Sequence, residues 1–398
     1  MDPLRIALAC DWFLPRTGGL ELHVRDLALR LRSAGHDARV LTSTPGPPEE
    51  DGIPVHRVEA PRAPRYGFIF TPSGLRRMEE ILKGEGFQRV HAQISVVAPC
   101  GWGAAWLGPR LGIPTVATFH SVLGPVRPLL RLLDRAVGWS DWPVAWTAVS
   151  PVVGAEFLPL LGRTLPILPN AVDPAEWTPQ GVALGAPRPP PEAPPGRNGV
   201  PPEHPVTFVS VMRLNFRKRP EALVRIAAAV VRELGGHPPV RFLVVGDGPF
   251  RSRTLRLVRR LGLEGVVEVT GFLPREGVRV ALARSDIFLL PAIMESFGIA
   301  ALQARAAGLP VVARREGGVG GFIRDGEEGF LVSSDAMMTD RLVRLARDPG
   351  LRRALSRGSG DPLPFTWEQV LPLYLEVYRG APDPGRTAPS PHPNSVRR

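Results

Sequence analysis

Glu295 opens the segment Glu295-Ser296-Phe297-Gly298, and its flanks put it where chemistry is done. Before it, Asp286–Leu290 is a short apolar run, which predicts a buried strand. After it, Ile299, Leu302 and Ala306 recur at helical spacing, and Gly308-Leu309-Pro310 ends that helix. A carboxylate then stands at the C-terminal end of a strand, the ligand-binding edge of an open α/β sheet. The helix aims its N-terminal amides at the same spot, which suits anions and phosphate above all. Gln303 follows Glu295 by eight residues, two turns along and on a similar face. Taken alone, the same joint also fits a surface carboxylate on a core helix.

Other residues fall at comparable joints. Cys10–Gly19 is a loop between an apolar run, Leu4–Ala9, and a helix that carries Val24, Leu27 and Leu31 on one face. The next strand is Arg39–Thr42, so the chain begins as a Rossmann-like unit, without the GxGxxG spacing of a dinucleotide site. Gly18-Gly19 lets a ligand approach the backbone, or simply makes a tight turn. Val90-His91 ends one strand, and His120 follows another, Pro114–Phe119, where it faces a ligand crevice or is a hydrogen-bonded structural histidine. Val144–Val149 and Leu165–Leu168 are further short strands.

A dense proline stretch, 179–205, reads as a semi-rigid linker and the domain boundary. A second α/β series starts beyond it. Strand Val206–Val211 leads into Met212–Pro220 with Arg213 and Lys218, then a helix through Leu234. Val240–Val245 ends in Gly246-Asp247-Gly248-Pro249, and Val266–Thr270 in Gly271-Phe272-Leu273-Pro274. Strand Pro310–Ala313, Gly317-Gly318 and the segment Gly329–Val332 come next, then helices. The last, Phe365–Tyr378, has Trp367, Val370, Leu371, Tyr374 and Val377 on its apolar face, and the tail 380–398 has a disordered composition. The fold class is α/β: two Rossmann-like, doubly wound domains, 1–178 and 206–364, facing a central cleft.

Composition bounds the partners. The chain has 398 residues, a net charge of +11 and a pI near 10.9, so an anionic partner is expected; nucleotides, anionic lipid and nucleic acid all qualify. Arginine dominates the positive charge, which a GC-rich genome would also produce. Two cysteines, Cys10 and Cys100, exclude a disulfide framework and point to a reducing, cytoplasmic setting. No apolar run has transmembrane length, and Leu4–Cys10 is too short for a signal peptide. Segments 61–82 and 123–139 interleave arginine with apolar residues; Arg127, Arg131 and Arg135 share a helical face beside Leu129, Leu130, Leu133 and Val137. Such segments lie on anionic membranes or are ordinary half-buried helices.

With those residues placed, the chain resembles a family 4 retaining glycosyltransferase of the GT-B fold over nearly its whole length. The E-S-F-G-x-x-x-x-E signature is Glu295 to Gly298 with Gln303 in the last place. R-L-x-x-x-K-G is Arg213, Leu214 and Lys218 with Arg219 for the glycine. T-G-G-x-E-x-H is intact as Thr17, Gly18, Gly19, Glu21 and His23; G-x-G-P is Gly246, Gly248 and Pro249. G-G-x-x-E keeps Gly317 and Gly318 but has Gly321 for the glutamate. Within the family, DWFLPRTGGLELHV and PNAVDPAEWTP resemble the enzyme that attaches N-acetylglucosamine to phosphatidylinositol, and FTPSGLRRMEEIL and TFH the actinobacterial one that attaches mannose.

The resemblance implies transfer of a hexose from a UDP- or GDP-sugar with retained configuration, and an anionic lipid headgroup as acceptor. It implies catalytic roles for His120, Arg213, Lys218 and Glu295. Gly18, Gly19, Gly246, Gly271, Phe272, Leu273, Phe297, Gly298, Ile299 and Gln303 would surround the donor. Glu295 would bond the sugar hydroxyls, Gln303 the ribose, and residues 271 to 273 would border the base. The last helix would cross back to the first domain. Membrane docking through 61–82 places the protein on the inner face of the membrane, and nucleic acid drops out as a partner. The chain has no Asp-x-Asp, so Arg213, Lys218 and helix amides are expected to carry the leaving diphosphate without a metal or cofactor.

Three rivals share parts of this pattern. A GT-B epimerase has no need of an acceptor site. A phosphorylase-like enzyme needs a Schiff-base lysine, and the only lysines are Lys83 and Lys218. A non-catalytic nucleotide-sugar binder would accommodate the changes at Gln303, Arg219 and Gly321. A transferase with a soluble or polysaccharide acceptor is the variant nearest the main reading.

Overall fold

The computed structural model describes residues 2–58, 71–178, 204–358 and 362–384, together with the backbone of two short strands, Arg62–Ala63 and Gly67–Phe68. The proline stretch 179–203, the side chains of 59–70 and the tail beyond 384 lie outside the described residues, so the expectations for them find no counterpart there. The chain divides into two units. One holds Met1–Val149, Val153–Pro169 and the chain from Glu368; the other holds Ser150–Val152 and Asn170–Trp367. The chain thus changes unit at Pro169/Asn170, before the proline stretch.

The first unit is built on a seven-stranded sheet. Its order is Glu49–Glu50, Ile53–Arg57, Asp37–Thr42, Arg5–Cys10, Arg89–Ile94, Thr115–Phe119 and Val144–Ala148. All pairings are parallel except that of the two-residue edge strand. Parallel strands covered on both faces need continuous apolar runs, and Ile6–Cys10 and Thr115–Phe119 are buried throughout. The core beside the last strands is aromatic. Phe119 stacks on Phe157 at 3.6 Å and on Trp146 at 5.3 Å, with Trp139 edge-on to Trp146 at 5.4 Å. The helix Trp367–Gly380 packs in this unit through Tyr374 and Tyr378, both fully buried. Its buried face therefore runs 367, 370, 374, 378; Leu371 and Val377, expected there, are half-buried.

The second unit has six parallel strands. Their order is Val267–Gly271, Val240–Val245, Val206–Val211, Ile287–Leu290, Val311–Arg314 and Gly329–Val332. Phe208 stacks on Phe242 at 4.6 Å in its core, under the helices Pro220–Leu234 and Asp335–Arg347. Proline starts the first of these helices, where a missing N–H costs nothing, and Ser334 caps the second by accepting the Met337 N–H at 3.0 Å.

Two expected strand boundaries move. Val90-His91 does not end its strand, which runs on to Ile94 and puts His91 in mid-sheet. Leu165–Leu168 is no strand: Ile167 makes only an isolated bridge to Ala148. Pro166 and Pro169 withhold the N–H groups a ladder would use.

Among the described residues, no helix is long and apolar enough to cross a membrane. The helix Arg127–Val137 has one buried residue, Leu130. Leu129, Leu132, Leu133 and Val137 are 48–61% exposed. Arg127 pairs with Glu156 at 2.8 Å and Arg131 donates to the Pro159 carbonyl at 3.2 Å.

Candidate functional site

In the second unit, the site gathers at the C-terminal ends of the strands. Strand Val206–Val211 delivers Arg213, exposed, and Lys218, whose backbone N–H is held at 3.1 Å by the Asn215 side chain. Strand Ile287–Leu290 delivers Glu295, which is buried. Lys218 Nζ donates to Glu295 Oε2, closing an ion pair between the two loops. The Arg217 guanidinium is pulled below its ordinary range by burial, against the attraction of Glu295.

Glycines make this closeness possible. Gly298 has φ +95°, and a Cβ there would meet Val319 Cγ2 at 2.7 Å. Gly318 donates its N–H to the Glu295 carbonyl at 2.9 Å, and a Cβ on it would lie 2.2 Å from the Ser296 oxygen. Gly246 (φ +139°) and Gly248 (φ +155°) lie against the carbonyls of Met212 and Leu214, which a Cβ would reach at 1.9 and 2.5 Å. Leu214 donates to the Asp247 carbonyl at 2.9 Å, so this turn fixes the backbone on either side of Arg213.

The remaining candidates fall into place unevenly. Phe297 points inward, between Phe322 and Phe365 at 5.5 Å each, so only its backbone is available to a ligand. Ile299 begins the helix Ile299–Ala306; Gln303, half-buried, is therefore about one turn along it, and Glu295 precedes it in the loop. Gly271 (φ +80°) ends its strand, Phe272 is 57% exposed and Leu273 is half-buried. Gly321 borders open space: nothing lies within 4 Å of a Cβ built there.

In the first unit, Gly18 precedes the helix Gly19–Ser33, Gly19 is exposed, and buried Glu21 folds back over the Gly18 Cα. His23, one turn on, is hydrogen-bonded through Nε2 to the Tyr374 hydroxyl at 3.1 Å, and its ring lies 6.2 Å from His120. His120 bonds through Nε2 to Gln93 Oε1 at 2.6 Å, and its backbone N–H to the Ile94 carbonyl at 2.8 Å. His91 bridges Thr118 Oγ1 at 2.7 Å and the Tyr378 hydroxyl at 2.9 Å. Burial pushes His23 and His91 down to about 3, and burial beside both holds His120 well below the usual histidine range, so all three are neutral at pH 7. Asp11, at the end of its strand, accepts the Cys100 and Gly101 N–H groups at 2.9 and 3.4 Å at the start of the helix Pro99–Arg110. Burial nevertheless pushes its carboxyl up to about 7. Cys10 and Cys100 are free and buried. Among the described residues, no group of three or more His, Cys, Asp and Glu side chains is gathered as for a metal ion.

Two family models match the chain: Glycosyltransferase Family 4 over residues 17–176 and Glycosyl transferases group 1 over 197–359. A D-inositol 3-phosphate glycosyltransferase of Acidothermus cellulolyticus is 30% identical, over 93% of this chain and 87% of its own. The chain belongs to glycosyltransferase family 4. This family 4 enzyme is also 28% identical to a phosphatidylinositol N-acetylglucosaminyltransferase subunit of Arabidopsis thaliana, over 79% of the chain and 68% of that protein. Its fold is GT-B, shared with Anabaena HepE in complex with UDP and glucose: TM-score 0.72 at 18% identity, over 95% of this chain and all of that one.

This glycosyltransferase departs from the motif it otherwise follows at Arg219, Gln303 and Gly321. Arg219 takes the glycine's left-handed backbone (φ +54°) and donates to both oxygens of Asp335 at 2.9 and 2.8 Å. Motif reading also missed Gln93, Tyr374 and Tyr378. One signal for Gln93 was present: His91 and Gln93 stand two apart in an apolar strand, hence on one face. The tyrosines carried none: Tyr374 read as an ordinary apolar position of the last helix, and Tyr378 only as its final residue.

Proposed function

We propose that this glycosyltransferase moves a hexose, N-acetylglucosamine or mannose, from a nucleoside diphosphate sugar to phosphatidylinositol or a similar membrane lipid, with retention and without a metal ion. The observation that carries the donor side is the Lys218–Glu295 pair at the strand ends, with Arg213 exposed nearby and a helix starting at Ile299. Lys218 and Arg213 meet the diphosphate, as point charge and as fork. Glu295 accepts from the sugar hydroxyls, and Gln303 offers the ribose both an acceptor and a donor. The UDP and glucose named for HepE support this donor class.

In the reaction, the acceptor oxygen bonds to the anomeric carbon as that carbon's bond to the diphosphate oxygen breaks. The electron pair leaves with the diphosphate, and the acceptor's proton passes to the departing phosphate oxygen on the same face. Fixed cations and the amides from Phe297 to Ile299 stabilise the charge as it develops. His120 is neutral and oriented by Gln93, in keeping with the catalytic role that the family resemblance implies for it.

The exposed leucines of the helix Arg127–Val137, flanked by Arg131 and Arg135, support a lipid surface as the acceptor's location. The inositol phosphate enzymes among the relatives favour a second reading, a soluble inositol phosphate acceptor. A donor screen separates the two. Purified protein in EDTA is given UDP- and GDP-sugars with phosphatidylinositol vesicles, with neutral vesicles, or with inositol 3-phosphate. Turnover that needs phosphatidylinositol and is lost in Glu295→Ala and Leu132→Asp establishes the lipid reading. Turnover with inositol 3-phosphate alone replaces it, and turnover that EDTA abolishes rejects the metal-independent step.

A further inference from the structure

Arg219 occupies a backbone conformation that side chains disfavour, directly after Lys218 (φ +54°, ψ +49°). Its guanidinium ties down two other loops. It donates to both oxygens of Asp335 at 2.9 and 2.8 Å, and to the carbonyl of Pro291 at 2.9 Å. Pro291 is the first residue of the loop that carries Glu295. Asp335, at the start of its helix, is gripped from the other side by Arg314 at 3.2 Å. Arg314 is buried and also donates to Glu316 at 2.8 Å and to the Ser333 carbonyl. These residues sit at the C-terminal ends of four strands that are neighbours in the sheet: Val206–Val211, Ile287–Leu290, Val311–Arg314 and Gly329–Val332.

We propose that Arg219 is a positioning residue: with Asp335 and Arg314 it braces these four strand ends, so that Lys218 and Glu295 are held in register before the donor arrives. The inference rests on the assignment of both residues to the donor. Lys218 and Arg219 are adjacent, so a left-handed Arg219 sends the two side chains to different partners, one to Glu295 and one to the base of Glu295's own loop. Both ends of the Lys218–Glu295 pair thereby trace to Arg219, Lys218 through the peptide bond and the Glu295 loop through the guanidinium. Glycine would keep the backbone and lose the brace.

The test compares Arg219→Gly, Arg219→Lys and Asp335→Asn with the wild type on the nucleotide sugar that it turns over, with melting temperatures alongside. Arg219→Gly is expected to melt close to the wild-type temperature, because relief of the left-handed strain offsets the loss of a part-exposed ion pair. Its kcat is expected to fall about tenfold or more, with a smaller change in KM, as for a displaced catalytic group. Methylguanidine in the buffer should restore part of that kcat. Asp335→Asn should show the same loss, and combining the two should add little. Wild-type kcat in Arg219→Gly overturns the brace, as does a loss that tracks a lowered melting temperature and ignores methylguanidine. Lys218→Ala and Glu295→Ala are assayed beside them. If those two are inactive while Arg219→Gly is not impaired, the brace alone fails. If those two turn over normally, the donor assignment fails and the brace with it.

Discussion

Gly318 lies so close to Ser296 that a Cβ on it would stand 2.2 Å from the Ser296 carbonyl oxygen. That contact is backbone against backbone, so no side chain can swing away to relieve it. The Gly317-Gly318 turn is therefore a template for the loop that carries Glu295, which also hands its own carbonyl to the Gly318 N–H at 2.9 Å.

Gly318→Ala should push that loop outward. With the role proposed for Glu295, a displacement near 1 Å costs about 10²-fold in rate. Steady-state kinetics on the donor should show a fall in kcat/KM of that order. An unaltered kcat/KM would mean that the loop is not held by this contact.

Tyr378→Phe should destabilise the first unit by about 1–3 kcal/mol, because it strips a partner from buried His91 Nδ1, now bonded at 2.9 Å. Urea unfolding measures it. Leu373→Ala, on the exposed side of the same helix, should stay within about 0.5 kcal/mol. Equal effects of the two would place the hydroxyl's contribution elsewhere.

Stability should fall on acidification from about pH 6.5. His23 and His91 titrate at about 3 in the folded chain and near 6.5 when unfolded, so between those values the unfolded state binds more protons. Each contributes up to about 1.4 kcal/mol per pH unit in that window, lost as pH falls. Urea midpoints at pH 7, 6 and 5 should decrease in that order; a flat series rejects neutral buried histidines.

Asp11 acts with the opposite sign. Its carboxyl is raised to about 7 in the folded chain against 3.8, so it contributes stability below 3.8 that is lost as pH rises through 7. Between pH 4 and 6.5 it offsets the histidines. Asp11→Asn should therefore make stability rise more steeply with pH across that interval than in the wild type, as read from the same urea series. A shallower rise would contradict the assignment.

Much of the fold was legible along the chain. Val206–Val211 and Val240–Val245 begin and end where their largely apolar runs do, because strands of a parallel sheet covered on both faces are built mostly from apolar residues. Leu165–Leu168 is also largely apolar and fails, because Pro166 within it and Pro169 after it cannot donate to a ladder. His91 looked like the end of a strand, since periodicity treats a histidine as polar. It lies in mid-strand because Thr118 and Tyr378 satisfy its ring, and Tyr378 comes 287 residues later. Phe297 sits within a signature motif but turns its ring into the core.

Local order along the chain determined which residues end up at strand ends: Gly18, His120, Arg213, Lys218, Glu295 and Gly317-Gly318 each follow an apolar run by a few residues. Strand and helix lengths are set by short-range sterics and burial, which a sequence displays. Only the tertiary structure decided who meets whom. Lys218 reaches Glu295 across 77 residues, and Arg219 locks onto Asp335 across 116. Those pairings follow from the order of strands in the sheet, and nothing in the spacing of charges along the chain encodes that order.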